Sequence, residues 1–149
     1  MTVDMRSFLQ EIKKTNDVFT VKKSVSTKYE IAAVTEKLDG SKAALFENIR
    51  GSKFKLVSNL VGSRDRFAQA IGTKKSDINQ KIVKAISSAK KPKISKTAKF
   101  FENRSNDISI LPIVTHFQNE SGPFITSSIL YTRNQEKKSQ NSSIHRLMP

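Results

Sequence analysis

The chain has 149 residues, of which 36% are hydrophobic, and its formal net charge is +14, from 27 Lys and Arg against 13 Asp and Glu. This size suits one ordinary domain, or one small domain and part of another. Cysteine is absent, which excludes disulfides, thiolate metal sites and a catalytic thiol. No apolar stretch reaches the length of a membrane span and no signal peptide is evident, so we expect a cytoplasmic protein with no membrane partner.

The excess of positive charge is compatible with nucleic acid, a membrane surface or a phosphorylated ligand as partner. Most of the cations are lysines spread along the chain in pairs such as Lys13-Lys14 and Lys74-Lys75, and only residues 90–99 form a cluster. Trp is absent, and the chain lacks the aromatic residues interleaved with Arg that stack on bases. The sequence therefore favours a solvated basic surface over a nucleic-acid interface.

In chain order, the first part of the sequence predicts a module of helices and strands. Apolar spacing and turn residues place these elements at 5–12 (helix), 18–21 (strand), 29–38 (helix), 42–49 (strand), 54–61 (strand), 64–71 (helix) and 76–88 (helix). Asp4, Ser63 and Ser76 are the expected N-caps, while Gly40 and Gly72 end their helices.

A basic, polar stretch at 90–106 follows this module. It contains Pro92, shows little periodicity, and has one aromatic pair, Phe100-Phe101. We interpret it as a solvated linker, and a cationic patch beside a bound phosphate is the alternative.

The last part of the chain reads as strands joined by loops. Residues 107–116 alternate like a strand as far as Pro112, and 117–122 read as a loop. After Gly122-Pro123, a run of β-forming residues predicts a strand over 124–131 that ends in the turn-rich stretch 134–139.

The segment 141–146 then concentrates polar groups of several kinds. It carries an amide, two hydroxyls, an imidazole and a guanidinium: Asn141, Ser142, Ser143, His145 and Arg146. A packed core does not explain this density, which favours a loop or strand edge that binds an anion. A polar surface turn is the simpler alternative.

Several of these segments resemble the UbiD family of decarboxylases, which use prenylated flavin mononucleotide (prenylated FMN). In the first part, the resemblance lies in Leu38-Asp39-Gly40, Leu45-Phe46-Glu47-Asn48 and Asn59-Leu60-Val61-Gly62-Ser63-Arg64. In the last part, a Gly-Pro-Phe-Ile-Thr strand beginning at Gly122 leads to Asn141-x-x-x-x-Arg146. These matches occur in the family's order.

The resemblance implies an α+β fold, with an N-terminal helix/strand module followed by the first strands of a split β-barrel flavin-binding domain. The expected organisation is a module at 1–89, a basic linker at 90–106 and an incomplete barrel domain at 107–149. Further barrel strands of the family lie beyond Pro149. We therefore expect a fragment, one chain of an enzyme completed by a second polypeptide or by homo-oligomerisation, or a remnant without function.

The resemblance also implies roles for individual residues. Asn141, Ser143, Ile144, His145 and Arg146 would contact the cofactor. Asn141 would ligate a divalent metal, taken as Mn²⁺, beside the flavin phosphate, with K⁺ as a second candidate ion. Arg146 is the implied catalytic residue, because paired N–H groups of a guanidinium suit a substrate carboxylate. One Asn alone cannot hold a divalent ion.

The implied activity is non-oxidative decarboxylation of an aromatic or α,β-unsaturated acid. A phosphorylated acid of isoprenoid metabolism and a hydroxybenzoate are the candidate substrates, and a flavin prenyltransferase would supply the cofactor. The alternative from another class is a non-catalytic assembly subunit that binds flavin phosphate or nucleic acid.

Overall fold

The computed structural model describes residues 4–90, 102–134, 136 and 139–149. Within these residues the helices and strands are α1 (Met5–Lys14), β1 (Val18–Val21), α2 (Glu30–Lys37), β2 (Ala43–Phe46), β3 (Leu56–Ser58), α3 (Arg64–Ala70), a 3₁₀ turn (Lys75–Asp77), α4 (Ile78–Ser87), β4 (Ile125–Asn134) and β5 (Ser139–Leu147). Strands β1, β2 and β3 form one sheet in that order, and β4 pairs with β5. This mixture of helices and strands confirms the expected α+β class.

The chain divides into two compact units. The first comprises Met1–Thr20, Leu38–Leu45 and Val57–Asp107, and the second comprises Val21–Lys37, Phe46–Leu56 and Ile108–Pro149. The domain limits expected from the sequence, 1–89, 90–106 and 107–149, stay a prediction. Residues 91–101 of the expected linker, with its pair Phe100-Phe101, lie outside the described residues.

The core of the first unit forms beneath α1. Phe8 and Ile12 lie on the inner face of this helix and pack with Ala43 of β2, and all three are buried. The helix begins where Asp4 Oδ1 accepts hydrogen bonds from the backbone N–H groups of Arg6 and Ser7, at 2.8 and 2.9 Å. The expected N-cap is confirmed, and it satisfies donors that have no partner inside a helix.

A buried arginine of helix α3 hydrogen-bonds to two neighbouring segments of the chain. Ser63 caps the helix by accepting from the Arg66 backbone N–H at 3.2 Å, as expected. The Arg66 guanidinium is 4% exposed and donates to the main-chain carbonyls of Ser41 and Asn59. This one side chain therefore ties α3 to the turn before β2 and to the residue after β3.

Several expected strands are wrong in extent. The strand predicted at 42–49 is only β2. The strand predicted at 54–61 is only β3, because Phe54 donates its N–H to the Ser52 hydroxyl in a turn and Asn59 takes a left-handed φ of 52°. The strand predicted at 107–116 is absent from this described stretch apart from one bridge between Lys28 and Thr115. The alternating apolar residues there have no neighbouring strand to pair with, and Pro112 offers no N–H.

The expected start of the last helix is also wrong. Ser76 lies inside the 3₁₀ turn, and its hydroxyl hydrogen-bonds to Asp77 Oδ1 at 2.6 Å instead of capping a helix. Helix α4 therefore begins at Ile78. In the part of the chain that the structure describes, no helix combines the length and apolar character needed to cross a bilayer.

The polar segment lies in a β-hairpin of the second unit. Strand β4 follows Gly122-Pro123 as expected and continues to Asn134, beyond the predicted end at 131. Residues 141–146 belong to β5, so the segment is a strand and not a surface turn. Since a hairpin of two strands leaves both outer edges unpaired, the segment lies on a strand edge as expected.

Candidate functional site

The register of the hairpin sorts the predicted site residues onto two faces. Across the strands, Thr132 pairs with Asn141, Leu130 with Ser143 and Ser128 with His145, whereas Tyr131 pairs with Ser142 and Ile129 with Ile144. Directly opposite side chains share a face, and successive residues alternate. The first three pairs therefore form one face, called here the polar face, and the last two form the other, called the apolar face.

The polar face brings Asn141, Ser143 and His145 together. Ser143 is half-buried and its hydroxyl lies 2.9 Å from His145 Nε2, so the two side chains form a hydrogen-bonded pair. Asn141 and His145 are exposed. With Ser128 and Thr132 opposite them, these groups offer hydroxyl, amide and imidazole partners to a polar ligand such as a phosphate.

The apolar face is open to solvent. Ile144 is 76% exposed, its partner Ile129 is 59% exposed, and Tyr131 beside them is 80% exposed. A two-stranded hairpin gains little stability alone, and a contiguous exposed apolar cluster is typical of a surface that binds a ligand or a partner. A flat ring system or a further strand would remove it from water.

Arg146 lies where the hairpin is irregular. Ile125 pairs with Leu147 and Ser128 with His145, so Thr126 and Ser127 together face the single residue Arg146. A bulge of this kind changes the direction of the side chain opposite it. Bulges are frequent next to functional sites. The guanidinium carbon of Arg146 lies 5.5 Å from the centroid of the Phe124 ring, within the range of a cation–π contact.

The carboxylate of Glu120, in the loop before β4, is hydrogen-bonded to the backbone of that loop. Glu120 Oε2 accepts from the backbone N–H groups of His116 and Phe117, at 2.7 and 3.1 Å. The pKa of Glu120 is lowered by these bonds, that of Phe117 first, and by the charges of His116 and Arg146. Within the described residues, Arg146 forms no ion pair.

The described residues do not fit a metal ion by themselves. No cluster of three or more His, Cys, Asp or Glu side chains in this part of the chain could hold one. Asn141 offers a single amide oxygen, whereas Mg²⁺ or a similar hard cation takes several oxygen ligands. The metal assignment of Asn141 stays a prediction, as do the cofactor assignments of Ser143, Ile144, His145 and Arg146.

The sequence predicted that the site residues lie on one segment, but not that they lie on different faces of the hairpin. Asn141, Ser143 and His145 lie on the polar face, Ile144 lies on the apolar face, and Arg146 lies at the bulge. It also missed Phe124 and Glu120 as neighbours of Arg146. The only available signal was the spacing of Glu120 from His116, which suits a carboxylate that closes a short loop onto its own backbone.

Comparisons with known proteins agree with this architecture. Residues 9–86 match the family model of the 3-octaprenyl-4-hydroxybenzoate carboxy-lyase N-terminal domain, and residues 87–149 match that of the Rift-related domain of the same carboxy-lyases. The chain is 27% identical over 146 residues to the anhydromevalonate phosphate decarboxylase of Methanothermobacter thermautotrophicus, and 31% identical over 145 residues to that of Methanosarcina mazei.

Solved structures of UbiD-class enzymes also match this chain. The UbiD-class enzyme HmfF from Pelotomaculum thermopropionicum, in complex with FMN, matches 96% of this chain with a TM-score of 0.89 and 32% identity. An evolved dimeric form of HmfF, in complex with prenylated FMN, matches with a TM-score of 0.82. The chain spans about a third of these proteins, 33% of each curated relative and 34% of the HmfF chain. The chain therefore belongs to the UbiD family of carboxy-lyases and corresponds to the N-terminal part of its decarboxylases.

Proposed function

We propose that this chain supplies the cofactor-binding hairpin of a decarboxylase that uses prenylated FMN and acts on a phosphorylated, unsaturated carboxylic acid. Both curated relatives are named anhydromevalonate phosphate decarboxylases, which supports a phosphorylated isoprenoid acid over a hydroxybenzoate. The observation that carries the proposal is Arg146, because it combines family position, exposure and a guanidinium with no ion pair among the described residues.

The exposed residues of the hairpin fit a flavin. The isoalloxazine ring would cover the apolar face around Ile144, which removes apolar side chains from water. Asn141, Ser143 and His145 lie on the opposite face of the hairpin. The cofactor would therefore pass over the edge of β5, and its phosphate would bind the hydroxyl, amide and imidazole groups of these side chains. When bound, the prenylated flavin would act as an electron sink for the electrons left by loss of carbon dioxide.

Arg146 would orient the substrate. Its planar guanidinium can donate two parallel N–H bonds to a carboxylate, which fixes the plane of the group and the bond that must break. Phe124 contacts the guanidinium through its ring and accepts no conventional hydrogen bond from it. In this role Arg146 holds the acid in place through hydrogen bonds and takes no part in proton transfer.

The remaining parts of the site would come from outside the described residues. Asn141 would give one oxygen to a divalent metal, Mn²⁺ in our proposal, and K⁺ is a second candidate. The other ligands must be supplied elsewhere, because the described residues contain no ligand cluster. A second polypeptide or further chain would cover the apolar face and complete the barrel, and a flavin prenyltransferase would supply the cofactor.

The proposal is tested by complementation. The chain is co-expressed with a flavin prenyltransferase and with the part of the Methanosarcina mazei relative that it does not cover, and carbon dioxide release is assayed with anhydromevalonate phosphate and with 4-hydroxybenzoate. We expect turnover of the phosphorylated acid. Arg146→Ala should abolish it, whereas Arg133→Ala, a matched change on the same hairpin, should retain it.

Retained turnover in Arg146→Ala would refute the role of Arg146. Turnover of 4-hydroxybenzoate alone would refute the substrate class. If the chain binds no flavin but binds nucleic acid with a steep dependence on salt, the non-catalytic alternative replaces the proposal.

A further inference from the structure

The family resemblance gives Arg146 a role but does not identify the side chains around it. The Phe124 ring lies beside its guanidinium, at 5.5 Å between the guanidinium carbon and the ring centroid. Phe124 stands immediately before β4, and Arg146 stands near the end of β5, next to the terminal pair of Ile125 and Leu147. The bulge therefore brings an aromatic residue from the start of the hairpin onto a cation from its end.

The carboxylate in the preceding loop forms no ion pair with Arg146. Glu120 is held instead by two backbone N–H groups, those of residues 116 and 117. Among the residues that the structure describes, no carboxylate forms an ion pair with Arg146. A carboxylate in direct contact would take N–H groups that an external anion needs.

We propose that Phe124 is a positioning residue for Arg146. The ring of Phe124 restrains the guanidinium from one side. The restrained guanidinium presents N–H donors to a planar, two-oxygen anion such as a carboxylate. This inference deepens the proposed function and rests on it for the identity of the anion, but the contact between the two side chains can be tested without flavin.

The physical reason for such an arrangement is the entropy of a long side chain. An exposed arginine loses rotamer freedom when a ligand fixes it. A side chain that is already restrained by an aromatic ring has less freedom to lose. Preorganisation therefore strengthens binding without adding a contact to the ligand.

The test uses the Nε–Hε signals of the arginines in two-dimensional NMR spectra of the ¹⁵N-labelled chain. Arg133, exposed on the same hairpin, is the internal reference, and Arg146→Lys assigns the signal of Arg146. We expect the Arg146 proton to be shifted upfield of Arg133 by the ring current of Phe124. Phe124→Leu should abolish that shift, whereas Tyr131→Leu, which removes an exposed aromatic ring elsewhere on the hairpin, should preserve it.

Binding provides an independent readout. In a titration with FMN, Phe124→Leu should weaken binding by about two- to fivefold, the loss expected for an exposed cation–π contact. If the Arg146 and Arg133 signals coincide in the unsubstituted chain, the positioning inference is overturned, whatever FMN does. If the upfield shift is present but FMN does not bind, the positioning inference stands and the proposed function fails.

Discussion

Arg66 shows how a buried charge can hold together segments that are distant in sequence. Its guanidinium donates to the carbonyls of Ser41 and Asn59, and Nε has no partner among the described residues. Buried main-chain carbonyls without donors are costly, and an arginine can serve two of them from one position. Helix propensity and apolar spacing gave no sign of this role, since both patterns treat Arg66 as a surface residue.

Replacing Arg66 should therefore destabilise the first unit. Arg66→Met keeps much of the apolar volume but removes the donors, and we expect it to lower the free energy of unfolding by about 1–3 kcal/mol. Arg64→Met, an exposed position on the same helix, should change it by less than about 0.5 kcal/mol. Urea unfolding followed by circular dichroism measures both. Equal effects of the two substitutions would contradict the assigned hydrogen bonds.

Asp4 gives the stability of α1 a dependence on pH. Hydrogen bonds from the backbone N–H groups of Ser7 and Arg6 lower the pKa of its carboxyl in the folded chain. A group with a lowered pKa stabilises the fold above its unfolded pKa, about 3.9 for Asp, and this contribution is lost as pH falls through the folded-state pKa. Asp4→Asn keeps a capping side chain but does not titrate.

We therefore expect the difference in Tm between the unsubstituted chain and Asp4→Asn to shrink as pH is lowered from about 6 to about 3. Thermal unfolding at a series of pH values measures this difference. A difference that stays constant over that range would show that the Asp4 carboxylate does not depend on its charge for the cap.

At the scale of elements, α4 is attached to the first unit mainly through its first residue. Ile78 is 4% exposed, whereas Ile82, Val83 and Ile86 farther along the helix are exposed, Ile86 by 74%. An open groove runs along this end of the helix and is lined by Val61, Gly62, Ser63, Arg64, Phe67, Ile78, Asn79 and Ile82. Most of the apolar stripe of α4 therefore contributes little to the stability of the unit described here.

This difference predicts unequal effects of equal substitutions. Ile78→Ala should cost about 2–5 kcal/mol of unfolding free energy, because it removes buried methyl groups and leaves a cavity. Ile86→Ala should change the unfolding free energy by less than about 0.5 kcal/mol. Urea unfolding of the two variants compares them directly. A large loss in Ile86→Ala would mean that the outer face of α4 is packed in solution.

Elements that depend on local signals were predictable, and those that depend on a partner were not. The starts of α1 and α3 follow from Asp4 and Ser63, because a cap needs only the first turn of its own helix. The stretch 107–116 has a strand pattern but finds no adjacent strand, and the half-exposed Ile108 shows that its alternation does not mark a buried face. A strand requires a partner that periodicity does not provide.

The sequence predicted which polar residues the site contains, but not how these residues are arranged in space. The polar chemistry of residues 141–146 was visible in the sequence, because it stands out from any core pattern. Which residues share a face depends on the register with β4, and the bulge at Thr126 and Ser127 changes that register by one residue. A shift of one residue exchanges the two faces, so the neighbours of Arg146 could only be identified in the folded hairpin.

At the scale of the whole molecule, nearly all of this chain aligns with each curated relative, but it covers only 33% of the length of that relative. The hairpin leaves Ile129, Tyr131 and Ile144 exposed, and the described residues contain no metal-ligand cluster. In the function that we propose, this chain contributes one side of a cofactor site. The complementation experiment above tests that view by asking whether activity appears only when the uncovered part of a relative is present.

The most direct test of the central claim is to map where FMN binds on the chain itself. Backbone amide signals of the ¹⁵N-labelled chain are followed by NMR while FMN is added to millimolar concentration, which detects weak binding to one side of a site. We predict changes concentrated in β4 and β5 around Ile144 and Arg146, and their loss in Arg146→Ala but not in Arg133→Ala. Changes located in the first unit, or no change at the highest FMN concentration, would contradict the account.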